Sequence, residues 1–267
     1  MMPCMDNDTS APDGHRPRAP YFWLPNAFTT GALWAGFYAI VAAIDHNFAR
    51  AGIAIFIAMV FDFLDGAVAR WTKTQSEFGK EYDSLSDMVS FGLAPAIVAY
   101  QFGVARIADY NVLWGRLGWL ATFLYAACAA MRLARFNSRI ATADKRFFEG
   151  LPSPSAAATV AGFIWIASDY DLSGLPALVL AFVITTLIGV LMVSSFPYRS
   201  LKEFNPRGRV RWAYLLIVPV GYILISAGPA EALFGLFAVY AVHAPILWLW
   251  RKIFHRRPHR DEAHVKP

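Results

Sequence analysis

Four aspartates at helical spacing are the residues of this sequence best suited to chemistry. Asp62 and Asp65 interrupt one apolar run, and Asp83 and Asp87 stand at the start of the next. Spacings of three and four place each pair on one face of a helix. Four carboxylates packed together without a counter-ion would repel one another, and some would be forced to take up protons. A cation resolves this conflict, so the spacing predicts a metal site.

The donor type narrows the choice of metal. Carboxylate oxygens favour the hard divalent cations Mg²⁺, Mn²⁺ and Ca²⁺, whereas zinc prefers histidine and cysteine. Protein-bound Mg²⁺ often shares its coordination shell between carboxylates and substrate phosphates. We therefore expect a phosphate-bearing substrate.

Small and basic residues surround the aspartates. Gly66 and Ala69 leave room for a ligand or a neighbouring helix, and Gly79 lies in the short turn between the two runs. Arg70 offers a cation suited to phosphate or carboxylate. In the alternative interpretation, the small residues only pack helices and the aspartates only cap helix ends. Capping accounts for Asp83 but not for Asp62, which lies well inside its apolar run.

The elements that position these residues are membrane helices. Hydrophobic residues make up 57% of the 267-residue chain and charged residues only 16%, against about a quarter in soluble domains. Crossing a bilayer takes about 20 apolar residues. We predict an all-α, polytopic transmembrane bundle in which Pro95 kinks the third helix. The eight predicted spans are 24–45, 49–71, 83–103, 113–135, 153–169, 174–196, 212–228 and 230–250.

Basic residues predict the orientation. Of the 24 Lys and Arg residues, all but Arg50, Arg106 and Arg116 fall in the tails and in alternate loops, which the positive-inside rule assigns to the cytoplasm. Both termini should therefore be cytoplasmic, whereas seven spans would place one terminus outside. We expect a disordered tail over 1–20, a membrane domain over 21–252 and a basic tail over 253–267. The net charge of +5 is then explained by orientation and anionic lipid, and no nucleic-acid motif is present.

Together these residues form a motif that resembles the signature of the CDP-alcohol phosphotransferases. The matching positions are Asp62-x2-Asp65-Gly66-x2-Ala69-Arg70-x8-Gly79-x3-Asp83-x3-Asp87. The resemblance implies an enzyme that cleaves the pyrophosphate of CDP-diacylglycerol, moves the phosphatidyl group to an alcohol and releases CMP. It also suggests a homodimer. The distribution of Lys and Arg, rather than the resemblance, predicts an inner-membrane protein with its active site facing the cytoplasm.

The resemblance also implies roles for individual residues. Asp62, Asp65 and Asp83 would hold a pair of Mg²⁺ or Mn²⁺ ions on the pyrophosphate. Asp87 would be the general base and could also contact one metal ion. The CDP-lipid pocket would be formed by Asp62, Gly66, Ala69, Arg70, Gly79, Asn26 and Thr29.

Further segments resemble the bacterial and archaeal phosphatidylserine synthases of this family. They include 83–92, 132–137, 148–154 and 192–202. The implied acceptor is L-serine, whose carboxylate suits a bidentate basic partner. The candidates to bind the acceptor are Arg132, Arg135, Asn137, Arg199 and Lys202. Ordinary snorkelling of basic side chains at the membrane surface is the competing interpretation.

Two alternatives remain open from the sequence. The same chemistry could use glycerol 3-phosphate, inositol phosphate or choline as the acceptor. Intramembrane carboxylates also mark ion pathways, so a divalent-cation transporter is the alternative from another class. The position of the aspartates at one membrane face, next to glycines and Arg70, argues against a transporter.

Overall fold

The computed structural model describes most of the chain as a helical bundle. The described residues are 23–72, 76–104, 112–139, 147–172, 174–199, 223 and 226–254. In chain order the elements are α1 (Trp23–Ile44), α2 (Phe48–Thr72), α3 (Glu77–Asp87), a π-helical segment (Met88–Leu93), α4 (Ala94–Ala99), a second π-helical segment (Tyr100–Val104), α5 (Val112–Arg139), β1 (Phe147–Glu149), α6 (Ser153–Asp169), α7 (Leu175–Val193), β2 (Pro197–Arg199) and α8 (Pro229–Phe254).

Five of these helices are long and apolar enough to cross a membrane, namely α1, α2, α5, α7 and α8. Their outward faces carry large exposed apolar side chains, such as Trp34, Phe37, Trp119 and Phe123. Extended apolar surface of this kind indicates contact with lipid. The prediction of a polytopic helical membrane bundle is therefore confirmed.

The core is built from small residues. Buried alanines line both α1 and α2, which pack against each other over much of their length. Small residues let helix backbones approach closely inside a membrane. The shorter α6 is buried along most of its length and contacts α2, α7 and α8. These contacts hold α2, which carries Asp62 and Asp65, against the rest of the bundle.

The helix that carries Asp83 and Asp87 begins earlier than the predicted residue 83. Ser76 is its N-cap, and its hydroxyl accepts a 2.9 Å hydrogen bond from the Gly79 N–H. Asp83 therefore lies inside α3 rather than at its start, and the capping interpretation of Asp83 is wrong. Serine at N-cap satisfies a backbone donor that the helix leaves unpaired.

A π-helical segment follows Asp87 directly, and Pro95 lies just beyond it in α4. Such segments are rare and frequently occur at functional sites. Here the segment changes the helix geometry between the two aspartates and the apolar part of the bundle.

Two three-residue strands, which the sequence pattern did not predict, connect the loops at one end of the bundle. β1 and β2 pair antiparallel, with Phe148 opposite Tyr198. Two backbone hydrogen bonds follow the strands, both at 3.0 Å. The N–H of Gly150 donates to the Phe196 carbonyl, and the N–H of Leu151 donates to the carbonyl of Leu191 in α7. The connection between α5 and α6 is therefore attached to the end of α7.

The predicted spans agree with the helices to different degrees. The fifth, 153–169, coincides with α6, and the first, second and eighth lie within a few residues of α1, α2 and α8. The sixth span was predicted to reach 196, but α7 ends at Val193. The seventh span, 212–228, and the tail over 1–20 lie largely or wholly outside the described residues. The count of eight spans and the side of each terminus remain predictions.

Candidate active site

Three of the four aspartates meet between α2 and α3. Asp62, Asp83 and Asp87 each offer a carboxylate oxygen, and these atoms all lie within 4.8 Å of one another. The three side chains are partly buried. Negative charges this close repel strongly where water is scarce. Their oxygen donors and spacing suit a hard divalent cation, as the sequence predicted.

The fourth aspartate, Asp65, is held differently. Its side chain is only 6% exposed, and the hydroxyl of Thr29 donates to its carboxylate at 2.8 Å. Thr29 is itself 3% exposed. The hydroxyl predicted to contact the CDP-lipid is therefore engaged with Asp65. Thr29 orients one of the predicted metal ligands.

Two serines attach the Asp83–Asp87 helix to α1. Ser86 donates to the carbonyl of Thr29 at 3.2 Å, and Ser90 donates to the carbonyl of Ala32 at 3.0 Å. A side chain at Gly36 would clash, because an added Cβ would lie 2.4 Å from Oγ of Ser90. Since α1 contacts both α2 and α3, these bonds set the position of one aspartate pair relative to the other.

The predicted CDP-lipid residues line the region beside the aspartates. A Cβ added at Gly66 would lie 3.2 Å from Nη1 of Arg70, so the guanidinium of Arg70 lies next to this glycine. A Cβ added at Gly79 would lie 3.1 Å from Oγ of Ser76 and 3.5 Å from Oδ1 of Asn26. Ala69 is partly exposed on α2. The structure therefore brings Asn26 and Gly79 together, and likewise Gly66 and Arg70.

Among the acceptor candidates whose side chains the structure describes, Arg132 lies next to the proposed base. Its guanidinium interacts electrostatically with Asp87, and its Nη1 donates to Oγ of Ser153 at 2.7 Å. Ser153 is fully buried at the first position of α6. The sequence analysis missed this serine, although its place in the Pro152-Ser153-Pro154 segment marked a helix start.

The other acceptor candidates either form hydrogen bonds with other groups or lie outside the described residues. Nη1 of Arg135 is 3.4 Å from the Val193 carbonyl, and the amide of Asn137 donates to the hydroxyl of Ser84 at 2.8 Å. Arg199 belongs to β2, but its side chain is outside the described residues, as is the whole of Lys202. Within the described part of the chain, Arg132 is therefore the acceptor candidate that the structure places next to Asp87.

Comparison with known proteins identifies the class. The profile of the CDP-alcohol phosphatidyltransferase family matches residues 22–194, and the chain belongs to this family. The match includes both aspartate pairs and Arg132.

Among its relatives are proteins named CDP-diacylglycerol–serine O-phosphatidyltransferase. The chain is 34% identical to the one from Helicobacter pylori over 238 residues, which cover 88% of this chain and 94% of that protein. It is 31% identical to the one from Methanocaldococcus jannaschii over 195 residues, covering 73% and 82%. A third, from Saccharomyces cerevisiae, is 37% identical over 161 residues, covering 55% and 53%.

Proposed function

We propose that this protein transfers the phosphatidyl group of CDP-diacylglycerol to the hydroxyl of L-serine, giving phosphatidylserine and CMP. The supporting observation is the cluster of Asp62, Asp83 and Asp87, within 4.8 Å of one another, in a chain that resembles serine O-phosphatidyltransferases over most of its length. The family signature and the carboxylate geometry then describe the same site.

The carboxylates would bind the divalent cations. Asp62, Asp65 and Asp83 supply oxygen donors that fit Mg²⁺ or Mn²⁺, and Asp87 lies close enough to contribute another. When bound, a pair of such ions neutralises the pyrophosphate and stabilises both the attacking and the leaving oxygen. Thr29 maintains the orientation of Asp65 in this arrangement.

Asp87 would accept the proton of the attacking hydroxyl. As the serine oxygen forms its bond to the lipid-linked phosphorus, the bond from that phosphorus to the bridging oxygen of the pyrophosphate breaks. CMP carries away the bonding electrons, and the serine proton passes to the Asp87 carboxylate. A base within hydrogen-bond reach of the hydroxyl makes it a better nucleophile.

Arg132 would bind the carboxylate of serine. Its planar guanidinium can form two parallel hydrogen bonds with a carboxylate. The bond to Ser153 fixes the guanidinium near Asp87, so a bound serine would have its hydroxyl close to the base. Arg135, Asn137, Arg199 and Lys202 are secondary candidates for the same pocket.

The CDP moiety would bind beside the aspartates. The small residues Gly66, Ala69 and Gly79 would let it approach the helix backbone, and the side chains of Arg70, beside Gly66, and Asn26, beside Gly79, offer polar contacts. The diacylglycerol chains would remain in the bilayer while serine enters from the cytoplasm.

Location and assembly form a separate part of the proposal. The distribution of Lys and Arg supports an inner-membrane protein with eight spans, its active site and both termini in the cytoplasm. A homodimer is expected from the family resemblance. Reporter fusions at residues 172 and 260 test the topology, because the first should report the outer side and the second the cytoplasm. Both reporters on one side would contradict eight spans.

The direct test is CMP release by the purified protein. With CDP-diacylglycerol and Mg²⁺ or Mn²⁺, release should depend on L-serine and should be accompanied by phosphatidylserine. Glycerol 3-phosphate, inositol phosphate and choline, added in place of serine, should not support release. Release with one of these acceptors and not with serine would reassign the substrate. Cation flux into liposomes without any nucleotide-dependent chemistry would instead indicate a transporter.

A further inference from the structure

Two helical segments of this bundle contain a proline, a residue without an N–H, close to a backbone carbonyl that accepts a side-chain hydrogen bond. In an α-helix the N–H of each residue donates to the carbonyl four residues earlier, so within α8 Pro245 cannot donate to the carbonyl of Ala241. Phe91 lies in the π-helical segment, four residues before Pro95. A carbonyl left unpaired in an apolar interior is costly.

In both cases a buried tyrosine hydroxyl supplies the donor. The hydroxyl of Tyr125, from α5, donates to the Phe91 carbonyl at 3.1 Å. The hydroxyl of Tyr198, from β2, donates to the Ala241 carbonyl at 2.8 Å. Both tyrosines are 0% exposed. Each hydroxyl therefore fixes one element to a backbone carbonyl of another element, close to a proline.

The Tyr125 bond lies close to the reacting groups. On α5, Tyr125 is seven residues before Arg132, which places both on the same side of the helix two turns apart. Across the interface, Phe91 lies four residues after Asp87. The bond therefore joins the helix that carries the proposed base to the helix that carries the proposed acceptor-binding arginine.

Few other polar bonds between these two helices are described near this point. Asn137 of α5 donates to Ser84, which lies between Asp83 and Asp87, whereas Arg132 donates to Ser153 of α6. Along the segment between Phe91 and Asp87, which includes the π-helical residues, α5 otherwise packs through small or apolar side chains such as Ala129 beside Gly92. Apolar packing alone permits small shifts along the helix axis, whereas a directional bond to one carbonyl resists them.

We propose that Tyr125 is a positioning residue for the transferase reaction: its hydroxyl, bound to the carbonyl of Phe91, sets the separation between Arg132 and Asp87. This inference rests on the proposed function. The bond acts on the acceptor, because it positions Arg132 relative to the base. It leaves the CDP-lipid region between α1, α2 and the start of α3 unchanged.

The test substitutes Tyr125→Phe, which removes only the hydroxyl. The KM for L-serine should rise about tenfold, the scale expected for loss of a buried hydrogen bond. The KM for CDP-diacylglycerol and the Mn²⁺ concentration for half-maximal activity should stay within about twofold of wild type. Loss of the bond changes a constant about tenfold only where that bond acts, which is at the acceptor.

Tyr198→Phe is the matched control. It removes the same kind of bond, from a tyrosine of equal burial to a backbone carbonyl, but at α8. Its loss of thermal stability should match that of Tyr125→Phe, while its serine KM should stay near wild type. A serine KM that rises equally in both variants would show general loosening and would overturn the proposal.

The remaining outcomes separate this inference from the function on which it rests. If wild type releases no CMP in response to serine, the proposed function fails. If wild type is active and Tyr125→Phe leaves the serine KM unchanged, or raises only the KM for CDP-diacylglycerol, the positioning role alone is wrong.

Discussion

The hydroxyl of Thr29 donates a 2.8 Å hydrogen bond to the carboxylate of Asp65, and both side chains are buried. The two residues are 36 positions apart, on α1 and α2. A buried carboxylate needs hydrogen-bond partners to remain charged. The bond therefore makes α1 a part of the site, although α1 contributes none of the four carboxylates.

Removal of the Thr29 hydroxyl should weaken the metal site. Thr29→Val preserves the shape of the side chain but deprives Asp65 of a donor, and loss of such a bond costs about 1–3 kcal/mol. We expect the Mn²⁺ concentration for half-maximal activity to rise about tenfold. Thr185→Val is the control, since Thr185 is equally buried and, among the described residues, its hydroxyl donates within α7, to the carbonyl of Ala181. An unchanged metal requirement in Thr29→Val would argue against this role.

Neutralisation of Asp87 should separate binding from turnover. Asp87→Asn keeps the shape but removes the proton acceptor, so serine-dependent CMP release should fall by about 10²-fold or more. Binding of CDP-diacylglycerol at saturating Mn²⁺, measured by equilibrium binding, should largely persist. Asp169→Asn, at the exposed end of α6, should behave as wild type. Substantial turnover in Asp87→Asn would rule out the proposed base.

The acceptor site should discriminate between arginine and lysine at position 132. Arg132→Lys keeps the charge but loses the bidentate fork, so the KM for serine should rise about tenfold or more, with a smaller change for CDP-diacylglycerol. Ser153→Ala should also raise the KM for serine, but by a smaller factor, because it removes only the bond that orients the guanidinium. Arg116→Lys, on an exposed part of α5, serves as the control. Equal serine kinetics in wild type and Arg132→Lys would transfer the role to Arg199 or Lys202.

A substitution at Gly150 should destabilise the protein. Gly150 has φ of 85°, a conformation that side chains rarely adopt, and an added Cβ would lie 2.2 Å from the Met192 carbonyl oxygen. Gly150→Ala should cost about 2 kcal/mol or more, seen as a lower Tm in detergent. Gly235→Ala is the control, because a Cβ there meets nothing within 4 Å. Equal Tm values for the two variants would contradict the tight connection between β1, α6 and α7.

Removal of metal should abolish the activity without unfolding the protein. Oxygen ligands at the aspartate cluster predict that EDTA stops serine-dependent CMP release and that Mg²⁺ or Mn²⁺ restores it. Zn²⁺ should restore it poorly, because no histidine or cysteine belongs to the cluster within the described residues. Full activity in EDTA would contradict a metal-dependent mechanism.

Much of the architecture could be predicted from local pattern. Apolar runs predicted α1, α2 and α6 to within a residue or two. For α1 and α2, burial in lipid imposes a length that the sequence must match. Helical spacing likewise paired Asp62 with Asp65 and Asp83 with Asp87. The start of α3 was predicted too late, because its N-cap, Ser76, lies in a short polar turn.

Other features depend on how separate helices rotate and pack, which no local spacing specifies. The family resemblance implied Asp62, Asp65 and Asp83 as the principal ligands. The tertiary structure brings Asp62, Asp83 and Asp87 into one cluster, and it places the Thr29 hydroxyl in a hydrogen bond with Asp65. The strands β1 and β2 were too short to leave an alternating pattern.

The sequence by itself determined the class of chain, the helices and the four carboxylates, since bilayer thickness and helix periodicity act on neighbouring residues. Only the tertiary structure distinguished Arg132 from Arg135 and joined Tyr125 to the carbonyl of Phe91. Both relationships connect residues on different elements, and their distances arise from packing between helices rather than from position along the chain.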